Sequence, residues 1–135
     1  MIKVVLDTNI VISAALKEES LPALLLSLAL RKEIQAFVSS EMLSEYGEVL
    51  QRPKFGLRKK ETEDLLEEIR KSMIIVYPSE RISEIREDEA DNRILECAKE
   101  AEADFIITGN KSHFPFEEFR GTKIVSPREF FEYFI

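Results

Sequence analysis

The sequence predicts an α/β protein, a three-layer α/β/α sandwich around a short parallel sheet of five strands. Three observations carry that expectation. Short Val- and Ile-rich runs alternate along the chain with longer segments of helical period. Those runs are apolar on both faces, as strands buried between two helix layers must be. No repeat, low-complexity tract or linker interrupts the 135 residues, which suits one domain with one core.

The first strand is expected at Ile2–Leu6, closed by the polar Asp7, Thr8 and Asn9. A helix follows over Ile10–Leu16 with Thr8 or Asn9 as N-cap, and a second runs from Pro22, suited to a first turn, to about Arg31. Gln35–Val38 reads as the second strand. Ser39 and Ser40 then cap a helix over Glu41–Leu50, which stops before Pro53. A charged helix, Lys60–Lys71, carries an apolar stripe at Leu65, Leu66 and Ile69. Met73–Tyr77 is the third strand, ended by Pro78, and Asp88–Ala101 is a helix. Asp104–Thr108 forms the fourth strand, ending at Gly109, and Lys123–Val125 the fifth. The last helix opens on a capping box, with Ser126 as N-cap, Pro127 at the first position and Glu129 at the third.

Composition narrows the functional classes. The single Cys97 excludes an internal disulfide, so a reducing compartment, the cytoplasm, is expected. Cys97 falls among Ile94, Ala98 and Ala101 and reads as a small core residue. The first apolar run lacks the features of a cleavable signal, and Leu21–Leu30 falls short of the roughly 20 residues a membrane span needs. That stretch reads as a buried helix, or as one whose surplus apolar face meets another subunit. A net charge of −7 argues against nucleic-acid binding through a general basic surface. The segment Arg52–Lys60 nevertheless holds five basic residues and no acid. Its ordinary reading is a solvated loop, and a phosphate-contacting patch only if a site lies nearby.

In open α/β sheets ligands bind beyond the carboxyl ends of the strands, so the position of each acid is informative. Asp7 lies just past the end of strand one, and Asn110 just past strand four, while Asp104 falls at the opposite edge and reads as structural. In the helix Glu41–Leu50, Glu45 sits three residues after Met42 and four before Val49, on the stripe facing the sheet. Asp91 occupies the same place in its helix, with Leu95 and Ala98 following at i+4 and i+7; Asp88 is either the N-cap or a flank of the site. Each acid has an ordinary role as cap or turn residue, but their convergence on one edge is harder to explain that way. Oxygen ligands without accessible thiols point to Mg²⁺ or Mn²⁺, and such a site suits phosphodiester hydrolysis. His113, the one histidine, reads as packed among Phe114 and Phe116 rather than as a substrate contact.

These residues resemble the PIN domain family, in particular its VapC-like ribonuclease toxin branch. The matching pieces are VVLDTNIVISAAL, LSEYGEVLQRPKF and DEADNRILECAKEAEADFIITGNKSHF. The resemblance implies that Asp7, Glu45 and Asp91 bind Mg²⁺ or Mn²⁺, with Thr8 or Asn9 and Thr108 orienting them. It further implies an RNA substrate, a homodimer and, for toxin members, a small antitoxin protein. Family members often carry an aspartate after the TG turn where this chain has Asn110, which contributes no charge. Arg52, Lys54 and Lys111 are the candidate phosphate contacts. A catalytically weakened PIN domain serving as an RNA-binding or interaction module is the alternative. A receiver-type signalling domain is disfavoured, because strands one, three and five end in DTN, YPSE and SPRE.

Overall fold

A computed structural model describes residues 1–85 and 88–133. The elements are β1 (Lys3–Leu6), α1 (Thr8–Leu16), α2 (Leu21–Leu30), β2 (Gln35–Val38), α3 (Ser40–Leu50), α4 (Lys59–Ser72) and β3 (Ile74–Ile75). They continue with α5 (Glu89–Ala101), β4 (Phe105–Ile107), β5 (Glu118–Phe119), β6 (Thr122–Val125) and α6 (Pro127–Glu132). Two 3₁₀ turns, Pro53–Phe55 and Lys111–His113, lie between them.

The sheet order is β3-β2-β1-β4-β6-β5. Every pair is parallel except β5 with β6. The helices flank this mixed sheet in an α/β arrangement. The chain builds outward from β1 in one direction through β2 and β3, then returns to place β4 on the other side of β1. The order reverses at β1 and β4, and a crevice opens beyond their carboxyl ends. Asp7 N donates to Ile107 O at 3.0 Å, joining the two strand ends that define it.

The sheet has six strands where the apolar runs predict five. The extra strand, β5, is two residues long and joins β6 through Arg120 and Gly121, with φ of 50° and 90°. Positive φ at both central residues is the turn that matches strand twist in a two-residue hairpin, and Gly121 adopts it without strain. So short a strand carries no period to read. Other boundaries shift for local reasons. α1 begins at Thr8 because Asp7 itself is the N-cap, accepting from Thr8 N at 2.7 Å. Asp88 caps α5 through Ala90 N at 2.9 Å. β3 covers only Ile74 and Ile75 of the expected Met73–Tyr77 run. The Arg52–Lys60 segment is not simply a loop: it contains the first 3₁₀ turn, whose Phe55 packs on the core, and the start of α4.

The core is formed by β1, β2, β4 and β6 with the inner faces of the helices; Cys97 is buried there, its thiol pushed up to about 12 by burial. α2 is only partly internal. Leu25, Leu26 and Ala29 are buried, whereas Leu21 and Leu24 stay 40% and 44% exposed. No helix among the described residues is long and apolar enough to cross a membrane. The expected capping box forms, with Glu129 N donating to Ser126 Oγ at 3.1 Å and Ser126 N to Glu129 Oε1 at 2.8 Å.

Two polar arrangements hold the elements that frame the crevice. The hydroxyl of fully buried Tyr46 donates to Leu6 O, tying α3 to the end of β1. Along α5, side chains one turn apart hold the backbone of the preceding segment. Glu100 accepts from Ser79 N at 2.9 Å, Glu96 from Ile82 N at 2.7 Å, and Asn92 from Ile85 N at 2.8 Å. Arg93 completes the row, donating to Ile82 O at 2.9 Å and to Glu96 at 2.8 Å. Burial of these two charges is offset by their pairing and by the backbone groups they satisfy.

Removing the Tyr46 hydroxyl costs the Leu6 carbonyl a buried partner. Tyr46→Phe is expected to lower the unfolding free energy by about 1–3 kcal/mol, read from the urea midpoint with the slope unchanged.

Candidate metal centre

The crevice is a cleft of about 650 Å³. Asp7, Thr8 and Asn9 enter it from the end of β1, Glu45 from α3, Asp88 from the N-cap of α5 and Asp91 from its first turn. Asn110 and His113 line it from the turn after β4, and Arg52, Lys54 and Phe55 form its outer lip. Ile12, Leu16 and Val49 supply an apolar wall.

Asp7 is 5% exposed and held on both oxygens. Oδ1 accepts from Thr8 N, while Oδ2 accepts from Thr108 Oγ1 at 2.7 Å and Asn9 Nδ2 at 3.1 Å. Asn9 joins the two strand ends, because its Oδ1 also accepts from Gly109 N at 2.8 Å. A Cβ on Gly109 would lie 3.2 Å from that oxygen, so a larger residue there crowds the clamp. Thr108 Oγ1 also accepts from Asn110 N at 3.0 Å. Despite these donors, burial lifts the Asp7 carboxyl above its ordinary value.

Asp91 is 4% exposed, and its Oδ2 has no hydrogen-bond partner. Burial first, then the charges of Asp7 and Asp88, push its carboxyl to about 7. Glu45 is half-buried and also raised, chiefly by burial, with Glu48, Asp88 and Asp7 adding repulsion. Its neighbours behave as surface charges: Glu41 pairs with Arg81, and Glu48 with Arg52. These carboxylates are crowded, poorly hydrated and mutually repelling. An orphaned buried oxygen in such a place fits a hard divalent cation.

The structure thus brings Asp7, Thr8, Asn9, Glu45, Asp88, Asp91 and Asn110 into one cleft, with Thr108 beneath Asp7. Arg52 and Lys54 stand at the lip, Lys54 with its ammonium 5.1 Å from the Phe55 ring centre. Lys111 is not among the cleft-lining residues; it pairs with Glu129 at 3.0 Å, a partner distant in sequence. His113 departs from the expectation of a histidine packed among phenylalanines. Phe114 is buried, but His113 is exposed and faces the cleft, its Nδ1 3.8 Å from Asp91 Oδ2. Its spacing from Asn110 holds the missed signal, since residues three apart share a face of a 3₁₀ turn. Asp104 is structural, its Oδ2 accepting from Lys3 N at 2.9 Å.

A family model described as PIN domain matches residues 3–112. The chain is also 31% identical over 146 residues to the uncharacterized protein MJ1680 of Methanocaldococcus jannaschii, covering 98% of this chain and 92% of that one.

The raised carboxyls set a pH dependence. A carboxyl with a higher pKa in the folded than in the unfolded state makes the folded state hold extra protons between the two values. For Asp91 that window runs from 3.8 to about 7, and its contribution to stability falls as pH rises through it. In EDTA, Asp91→Asn is therefore expected to gain thermal midpoint relative to the parent as pH rises through this window. Adding Mn²⁺ or Mg²⁺ above pH 7 should reverse the order by stabilising only the parent. Parallel melting curves across the range would contradict this account.

Proposed function

Because this chain belongs to the PIN domain family, we propose that it is a Mg²⁺- or Mn²⁺-dependent endoribonuclease acting on single-stranded RNA. The carrying observation is Asp91 Oδ2, buried without a partner in a cleft it shares with Asp7 and Glu45. A cation bound there supplies neutralisation of phosphodiester charge and a water of lowered pKa. The residues divide the remaining work. Asp7, fixed through both oxygens by Thr8, Asn9 and Thr108, is the rigid ligand, and Asp91 is the one with an oxygen to offer. Glu45 closes the set from the facing helix. Arg52 and Lys54 at the lip bring positive charge to the RNA backbone, which an acidic chain needs locally. Lys111, tied to Glu129, is given no part.

The setting we propose is the toxin of a toxin–antitoxin pair, acting in the cytoplasm as a homodimer restrained by a small antitoxin protein. Exposed Leu21 and Leu24 support the dimer. A second reading, an RNA-binding or protein-interaction module with weakened catalysis, takes support from Asn110, whose amide brings no charge to the cleft.

Cleavage of a mixed-sequence RNA in Mn²⁺ or Mg²⁺, abolished by EDTA, tests the proposal. Asp7→Asn and Asp91→Asn are expected to lower the rate by about 100-fold or more. Metal-independent cleavage, or variants as active as the parent, would overturn it, and RNA binding without cleavage would favour the module. In the active enzyme, the pair Arg52→Ala and Lys54→Ala should raise KM more than it lowers kcat. It should also reduce the slope of binding against salt by about 2.

A further inference from the structure

We propose that Asp88, Asp91 and His113 form a second cation position, joined to the Asp7–Glu45 side through Asp91, and that its imidazole ligand makes it select Mn²⁺ over Mg²⁺. The inference rests on the metal-dependent reading above and goes beyond it in naming a nitrogen ligand and a choice of ion. One ligand atom from each of the three residues lies within 4.8 Å of the others. An acidic cluster with a histidine is common on protein surfaces and would mean little alone. The independent observation is Asp91 Oδ2, buried and unpartnered, with His113 Nδ1 the nearby group at 3.8 Å.

Each ligand is brought to the position by a different local device. Asp88 is held by its cap on α5, since Oδ1 accepts from Ala90 N at 2.9 Å. Asp91, one helical turn on, shares that face of the helix. His113 is delivered by the 3₁₀ turn Lys111–His113, whose His113 N donates to Asn110 O at 3.0 Å. The i, i+3 eclipse of that turn puts the imidazole on the same face as Asn110. The turn thereby offers a nitrogen donor beside a neutral amide. With its side chain 52% exposed, His113 is reachable by a hydrated ion.

Chemistry then chooses between the ions. Mg²⁺ is held by oxygen and water and dehydrates reluctantly, whereas imidazole suits the transition series. Two carboxylates and one imidazole, with water completing the shell, favour Mn²⁺. The parent and the variants His113→Asn, Asp88→Asn and Asp7→Asn are titrated with Mn²⁺ without substrate, following loss of the free-ion EPR signal, with Mg²⁺ as the comparison ion. Pulsed EPR of the Mn²⁺-loaded protein reads ¹⁴N coupling directly. The parent should show that coupling and His113→Asn should lose it. His113→Asn should also bind Mn²⁺ about tenfold more weakly while Mg²⁺ affinity stays within about twofold, and Asp88→Asn should weaken Mn²⁺ similarly. If Mn²⁺ binding depends on Asp7, yet His113→Asn binds as the parent and no ¹⁴N coupling appears, this inference falls and the nuclease reading stands. If the parent binds neither ion, both fall.

Discussion

The molecule is organised around the difficulty of keeping negative charge out of water at the end of β1. Asp7 sits where a parallel strand leaves the core, and its carboxylate remains there only because Thr8, Asn9 and Thr108 surround it with donors. That demand reaches outward. Thr108 and Gly109 must follow β4, so β4 must lie beside β1, and Asn9 must bridge the two strand ends. The reversal of strand order between β1 and β4 therefore serves the same end as the hydrogen bonds.

The facing helices add charge where the sheet has little means of absorbing it. Tyr46 ties α3 to Leu6 and so presents Glu45 across the cleft, while the start of α5 presents Asp88 from its N-cap and Asp91 from its first turn. Three carboxyls held above their ordinary values are an unfavourable arrangement for the protein alone. Dedicated bonds on one acid and an orphaned oxygen on another are what the proposed cation would need.

Much of this was legible in the chain because apolar period reports burial. β1, β2 and β4 stand out as runs apolar on both faces, the capping box at Ser126 and Glu129 marks α6, and Glu45 and Asp91 declare themselves as acids on stripes that ought to be apolar. What period does not report was missed. β5 is two residues long and owes its pairing to the Arg120–Gly121 turn. His113 is aimed by a 3₁₀ turn rather than by a helical stripe, and Lys111 is claimed by Glu129, eighteen residues away. Arg93 and Glu96 are buried as a pair, which no hydrophobicity pattern can show.

The row of side chains along α5 has a consequence for which residues are free to vary. Glu100, Glu96, Arg93 and Asn92 grip the peptide groups of Ser79, Ile82 and Ile85, and the Ser79 hydroxyl adds a bond to Glu100 at 3.1 Å. Backbone groups are common to nearly every amino acid. The recognition is thus indifferent to much of the composition of this stretch but sensitive to its length, because one added or deleted residue would slide every peptide past its partner. The helix thus fixes the spacing of Ser79, Ile82 and Ile85, whose two isoleucines are also buried in the core, so the stretch resists insertion more than exchange of its exposed residues.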